Sequence, residues 1–207
     1  MRIDSHGHLL ERFYFEELTR LPDITLERAP SGLGMLRKHG HTFLPFRDEM
    51  LEPDASLKDM DRKHIDMRIL SVATPNVYPF PLQRRVEICR QLNDALIAKS
   101  QQYPDRYRGL ISLPLPDAET SVAELERVKD AEGIVGVIIG SNIEGLPLSA
   151  PVLEPVWEAL DGWGKAVVEH PMHPVFAEAM DEFELPTRIG FMMDTTLAVT
   201  RMIYSGV

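Results

Sequence analysis

The run Val135-Gly136-Val137-Ile138-Ile139-Gly140 decides the fold. Every position is apolar or glycine, so neither face of a strand built from it is suited to water. Strands buried on both faces belong to parallel sheets covered by helices. Working outward, short strand-like runs also occur at 2–8, 67–73, 109–113 and 165–170, mostly with stretches of helical period between them. Residues 82–103 place Val86, Cys89, Leu92, Leu96 and Ile97 on one side, and Pro104 stops the helix. Residues 117–132 turn Val122, Leu125 and Val128 inward, and 151–163 form the next helix. A helix from Pro53 sets Leu57, Met60, His64 and Ile65 on a shared inner face. Asp194 is expected to cap a last helix running through Ile203. Strand–helix alternation of this kind is the pattern of βαβ units.

Residues 9–52 interrupt the alternation. They hold Pro22, Pro30, Gly32, Gly34, Gly40 and Pro45 and show no element of clear period. The exception is a hairpin expected between Ile24–Arg28 and Met35–Lys38, around Ala29-Pro30-Ser31-Gly32. Excursions this long in a compact domain usually serve as lids or small inserts. The whole of 1–207 is read as a single domain carrying this insert.

The alternation suits both a doubly wound sheet and a (β/α)8 barrel, and the polar residues separate the two. Ile3-Asp4-Ser5-His6-Gly7-His8 ends in two histidines one residue apart, which strand alternation turns to the same side. His170 closes the fifth strand and is followed at once by Pro171. In a barrel the carboxyl ends of the first and fifth strands face one another across the mouth, where such enzymes place their sites. His6, His8 and His170 then offer three nitrogens to one ion, and three protein ligands with one position open is the usual layout of catalytic zinc. A barrel needs eight strands and typically about 250 residues. Five βα units are legible here, so the chain is expected to be an incomplete barrel.

Composition narrows the partners. A net charge of −10 argues against sequence-independent nucleic-acid binding, which needs a basic face. With 44% hydrophobic and 26% charged residues the chain is of the globular class. It has no apolar run long enough for a bilayer and no apolar leader, so no membrane partner and a cytoplasmic location are expected. The lone Cys89 reads as a small buried residue.

The chain resembles the amidohydrolase superfamily (amidohydrolase family 2), within it the branch of aminocarboxymuconate-semialdehyde decarboxylase and related metal-dependent decarboxylases and hydrolases. The resemblance rests on 3–8, on Arg47-Asp48-Glu49 ahead of Lys58-Asp59-Met60-Asp61, and on Gly109–Pro114. It continues through Gly136–Gly140, Glu169-His170-Pro171, Asp194–Ala198 and Met202–Val207. It implies a metal-dependent (β/α)8 barrel with His6, His8 and His170 as ligands, and it places a catalytic histidine and a ligating aspartate beyond Val207. Binuclear members carry a lysine at the end of the fourth strand. Ser141-Asn142 follow that strand here, which implies one divalent ion, zinc or else manganese. Arg47 falls where the family grips a substrate carboxylate, a task suited to a guanidinium. The implied activity is non-oxidative decarboxylation of a small unsaturated or aromatic carboxylic acid. A hydrolase or hydratase using metal-activated water is the alternative, and an inactive fragment the second. Relatives of this kind imply a homodimer or homotetramer. Asn142 and Tyr78, at strand ends, are expected to make structural hydrogen bonds. His39-Gly40-His41, at a turn of the insert, is expected to be exposed, His64 to face inward, and His173 not to be a ligand.

Overall fold

The computed structural model describes residues 1–207 except His39, Glu52, Pro53, Ala73 and Asp181, and the side chains of Asp48 and Glu49. Five parallel strands organise it: β1 (Ile3–His8), β5 (Met67–Ser71), β6 (Tyr107–Ile111), β7 (Ile134–Gly140) and β10 (Ala166–His170). Their order across the sheet, β1-β5-β6-β7-β10, repeats their order in sequence. A doubly wound sheet would reverse direction at a switch point. This sheet never does, and it is the winding of a barrel.

Helices make each return. They are α2 (Ala55–Lys63), α3 (Leu82–Gln102), α4 (Ala118–Val128), α5 (Glu154–Trp163) and, after the last strand, α6 (Phe191–Ser205). α3 buries Ile88, Cys89, Leu92 and Leu96 at the three- and four-residue spacing that lines one helix face. Each such side chain contributes about 1.5–3 kcal/mol on leaving water. Asp117 caps α4 by accepting from the Thr120 N–H at 2.9 Å. Gly136 is demanded by close approach of two strands, because a Cβ there would lie 2.2 Å from the Ala166 carbonyl oxygen.

The stretch 9–52 is more ordered than its lack of periodicity suggests. It forms α1 (Arg12–Leu18) and an antiparallel sheet of β2 (Ile24–Arg28), β3 (Gly34–Lys38) and β4 (His41–Phe46). The expected hairpin is present, with Leu26 opposite Leu36 and Arg28 opposite Gly34. Seven residues of α1 give two turns, too few to establish a period, yet Tyr14, Phe15 and Leu18 are all buried. Leu36, Leu44 and Phe46 join the same apolar cluster as Leu70 and Ile111 of the barrel strands. After β7, β8 (Asn142–Ile143) and β9 (Leu146–Pro147) form a small ribbon.

Three expectations are corrected. Asp194 does not cap α6: it lies in the first turn, buried, while Gly190 occupies the cap position. His64 is exposed and ends α2 in the left-handed conformation at φ 55°, because the chain must turn there into β5. His41 is mostly covered, its Nδ1 lying 4.0 Å from Glu184 Oε2; His39 lies outside the described residues, as do Pro53 and Ala73 at the expected element ends. Cys89 is fully buried, and the Tyr78 hydroxyl accepts from the Gly140 N–H at 3.0 Å. Among the described residues no helix is long and apolar enough to cross a membrane.

Candidate metal centre

β1 enters the sheet regularly and then slips. Asp4 stands opposite Arg68 and Gly7 opposite Leu70, so three steps along β1 answer two along β5. Such a bulge bends the strand and re-aims its side chains. Gly7 is needed here for space: a Cβ would sit 2.5 Å from Arg68 Cδ. Arg68 passes beneath and fixes the strand from below, donating to Asp4 at 2.7 Å, to Ser56 at 3.0 Å and to Asp59 at 3.0 Å. On the far edge β10 keeps unbroken register with β7, setting His170 beside Gly140.

β1 and β10 are the two edges of the sheet. Laid flat, strands spaced about 4.8 Å apart put the outer two roughly 19 Å from one another. Instead the ligating atoms of His6, His8 and His170 all lie within 4.8 Å of one another. The sheet therefore curls into half a barrel, and the curl is what assembles the cluster. His6 and His8 bring their Nε2 atoms to 3.1 Å. The His6 and His170 rings stack at 5.0 Å, and those of His8 and His170 meet edge-on at 6.1 Å.

Burial sets the electrostatics. It lowers the His8 pKa to about 4, helped by His6 and opposed by Asp4. It also lowers the His170 pKa to about 4, opposed by the Pro171 carbonyl and helped by His6 and His8. Both rings are neutral at pH 7, which is the state that binds a cation. Around an ion at about 2.1 Å, tetrahedral nitrogens lie roughly 3.4 Å apart, close to the 3.1 Å between His6 and His8 Nε2 and inside the 4.8 Å that bounds the cluster. The donor set fits a divalent ion. Among the described residues it is the one group of three such ligands.

A cavity of about 230 Å³ opens at the barrel mouth, lined by Thr74, Tyr78, Met172 and His173 from the barrel and by Lys38 and Phe43 from the insert. None of the three histidines lines it, and Thr74, which touches His170, is the link between the two. The insert sheet thus walls the barrel mouth. Lys38 is buried and grips Glu144 at 2.7 Å, and Glu184 accepts from the Thr42 N–H at 3.1 Å. Arg47 is not drawn into the histidine cluster. It is exposed, and its guanidinium reaches the Ser31 carbonyl at 3.4 Å. His173 lies 6.1 Å from His41, ring to ring, and outside the three-histidine group.

Support around the site that the sequence did not reveal comes from Asp194. Its Oδ2 accepts from Ser141 Oγ at 2.5 Å and from Asn142 Nδ2 at 2.8 Å. Ser141 Oγ accepts in turn from the Met172 N–H at 2.8 Å, and Ser141 N–H donates to the His170 carbonyl at 2.8 Å. A helix carboxylate so fixes the loops after β7 and β10. An acidic residue near a helix start reads as a cap; nothing local distinguishes it from one turned into the core. Glu169, which alternation points away from His170, has its pKa raised to about 7 by burial and then by Asp194.

The fold is that of a partial (β/α)8 barrel of amidohydrolase type, and the chain belongs to the amidohydrolase family, whose model matches residues 3–207. It is 29% identical over 212 residues to 2-amino-3-carboxymuconate-6-semialdehyde decarboxylase of Dictyostelium discoideum, covering 100% of this chain and 59% of that protein. It is 29% identical over 167 residues to gamma-resorcylate decarboxylase of Rhodococcus jostii, covering 74% and 51%. A crystal structure of 5-carboxyvanillate decarboxylase from Novosphingobium aromaticivorans superposes with a TM-score of 0.82 at 24% identity, covering 98% of this chain and 60% of that one. That structure holds manganese and 4-hydroxy-3-methoxy-5-nitrobenzoic acid. The chain thus spans between half and three-fifths of the length of these relatives.

Proposed function

We propose that the chain carries the metal centre of a non-oxidative decarboxylase acting on a small aromatic or unsaturated carboxylic acid. His6, His8 and His170 hold one divalent ion, zinc favoured by the all-imidazole set and manganese the alternative. The observation that carries this reading is the convergence of three imidazoles, His6 exposed, His8 half-buried and His170 buried, from opposite edges of one sheet. The similarity to two named decarboxylases supports the reaction class. The manganese of the superposed structure supports a divalent ion and the manganese alternative, and its ring-acid ligand supports the substrate class.

A bound ion supplies positive charge to a substrate oxygen. The chain's own residues do the rest. His170 Nδ1 lies against the Thr74 hydroxyl and the Pro171 carbonyl, which leaves Nε2 to serve as its ligand atom. The cavity that Thr74 and Met172 share with the barrel mouth is smaller than the 300–1,000 Å³ typical of drug-sized ligands, which suits a single-ring acid. Phe43, Tyr78 and Met172 supply apolar walls for such a ring. The family resemblance gives Arg47 the grip on a substrate carboxylate through paired hydrogen bonds, a role for which its guanidinium would have to leave the Ser31 carbonyl and turn toward the mouth.

The test is metal content and product analysis together. Protein that also carries the residues the resemblance places beyond Val207, stripped with chelator and reloaded, is expected to hold one ion per chain and to release carbon dioxide from hydroxybenzoic acids. A folded protein that takes up no zinc or manganese would overturn the metal centre. A loaded protein that hydrolyses substrates without releasing carbon dioxide would overturn the reaction class.

A further inference from the structure

The loop between β5 and α3 sends one buried hydroxyl to the rear of the cluster. Thr74 is 4% exposed. Its Oγ1 lies 2.6 Å from the Pro171 carbonyl oxygen and 3.2 Å from His170 Nδ1. The same carbonyl lies 2.9 Å from Nδ1. The three atoms close a triangle. A hydroxyl has one proton, and the carbonyl, with no proton of its own, takes it across the shortest edge. Thr74 then presents only a lone pair to Nδ1. Both neighbours of Nδ1 are acceptors, so Nδ1 carries the proton and Nε2 is left with the lone pair. Pro171 is bonded to His170 itself and shares any drift of that segment. Thr74 comes from the other side of the mouth and ties ring and carbonyl to a different strand.

Resting on the metal-centre reading above, we propose that Thr74 is a positioning residue for the ion. Through the Pro171 carbonyl and His170 Nδ1 it fixes the tautomer and orientation in which His170 Nε2 ligates. Groups that hold the outer nitrogen of a ligating histidine typically contribute 10–100-fold in metal affinity. Thr74→Val keeps the shape and removes the hydroxyl; Thr74→Ser restores it.

The experiment titrates Mn2+ into the metal-stripped 207-residue chain by calorimetry, for the parent, Thr74→Val, Thr74→Ser and His170→Ala. Circular dichroism melts check that each is folded. A second readout is 15N NMR of the metal-free histidine rings, with His170→Ala identifying the signal. Thr74→Val is expected to bind Mn2+ about 10–100-fold more weakly, and Thr74→Ser to return within about threefold of the parent. The His170 ring in Thr74→Val is expected to gain the tautomer protonated at Nε2. Affinity of Thr74→Val within about threefold of the parent, or a Ser variant as weak as the Val variant, overturns the proposal. If the parent itself binds neither Mn2+ nor, titrated in the same way, Zn2+, the metal-centre reading falls. The NMR arm then still decides on Thr74, which is overturned by an unchanged His170 tautomer in Thr74→Val.

Discussion

His6 and His170 stack with 5.0 Å between ring centroids although they belong to the two outermost strands of the sheet. Their contact measures the curl of the sheet directly. His6 is exposed near the end of β1, and His170 is buried at the end of β10.

Replacing His170 or His6 by alanine is expected to weaken Zn2+ or Mn2+ binding by more than the roughly 100-fold that an outer-shell group costs. The metal-free proteins should melt close to the parent. Calorimetric titration and circular dichroism measure the two quantities. A variant that keeps parental affinity would remove that ring from the ligand set.

Two glycine-to-alanine changes should act with opposite sign. Gly136→Ala drives a methyl against the Ala166 carbonyl, forcing β7 from β10, and should cost about 1–3 kcal/mol or more. Gly162 lies inside α5 with nothing within 4 Å of a new Cβ. Gly162→Ala should add about 0.4–1 kcal/mol by restricting the unfolded chain. Urea unfolding of both variants reads the difference, and equal signs would contradict the packing described.

The Arg68 network predicts a pH dependence. Burial raises the Asp59 pKa, but hydrogen bonds from Arg68, Lys63 and Arg62 outweigh it and hold the carboxyl well below its ordinary value. A depressed folded-state pKa gives stability that is full above the unfolded value near 3.8 and is lost as pH falls through the folded one. Asp59→Asn is therefore expected to lower stability at pH 7 by about 1.5–3 kcal/mol, the range for hydrogen bonds to charged groups. The gap should shrink below pH 4, as urea midpoints across that range would record. A gap that widens in acid would contradict the sign.

Asp194→Ala leaves Ser141 Oγ and Asn142 Nδ2 without their shared acceptor in a buried place. Each unsatisfied group costs about 1–3 kcal/mol. Asp194→Asn retains one carbonyl oxygen and should lose less. Thermal unfolding separates the two, and equal losses would mean that the carboxylate acts through its charge alone.

Most of the barrel was legible because its signal is dense. Val135–Gly140 is apolar at nearly every position, and α3 repeats its buried face from Ile88 to Ser100, about three turns. The three histidines were legible because HxH at one strand end and His-Pro at another leave few alternatives once the strand order is known. Short or tertiary features were not. α1 is too brief to show a period. Asp194 has the local context of a cap and is recruited instead by Ser141 and Asn142, more than fifty residues away in sequence. His64 follows an amphipathic pattern, but the helix ends beneath it. Thr74 carries no motif at all, and its role exists only because β10 curls round to meet the loop after β5.

The curl has a mechanical consequence. An ion gripped by His6, His8 and His170 joins the first and last strands of the sheet and so acts as a removable staple across its open side. Everything between those strands becomes a closed loop, and the unfolded chain gives up its freedom only when the ion is bound. At one hundred times its dissociation constant such an ion adds about 2.7 kcal/mol to the folded state. Chelation should therefore loosen the two strands that carry the histidines and speed the exchange of their amide protons.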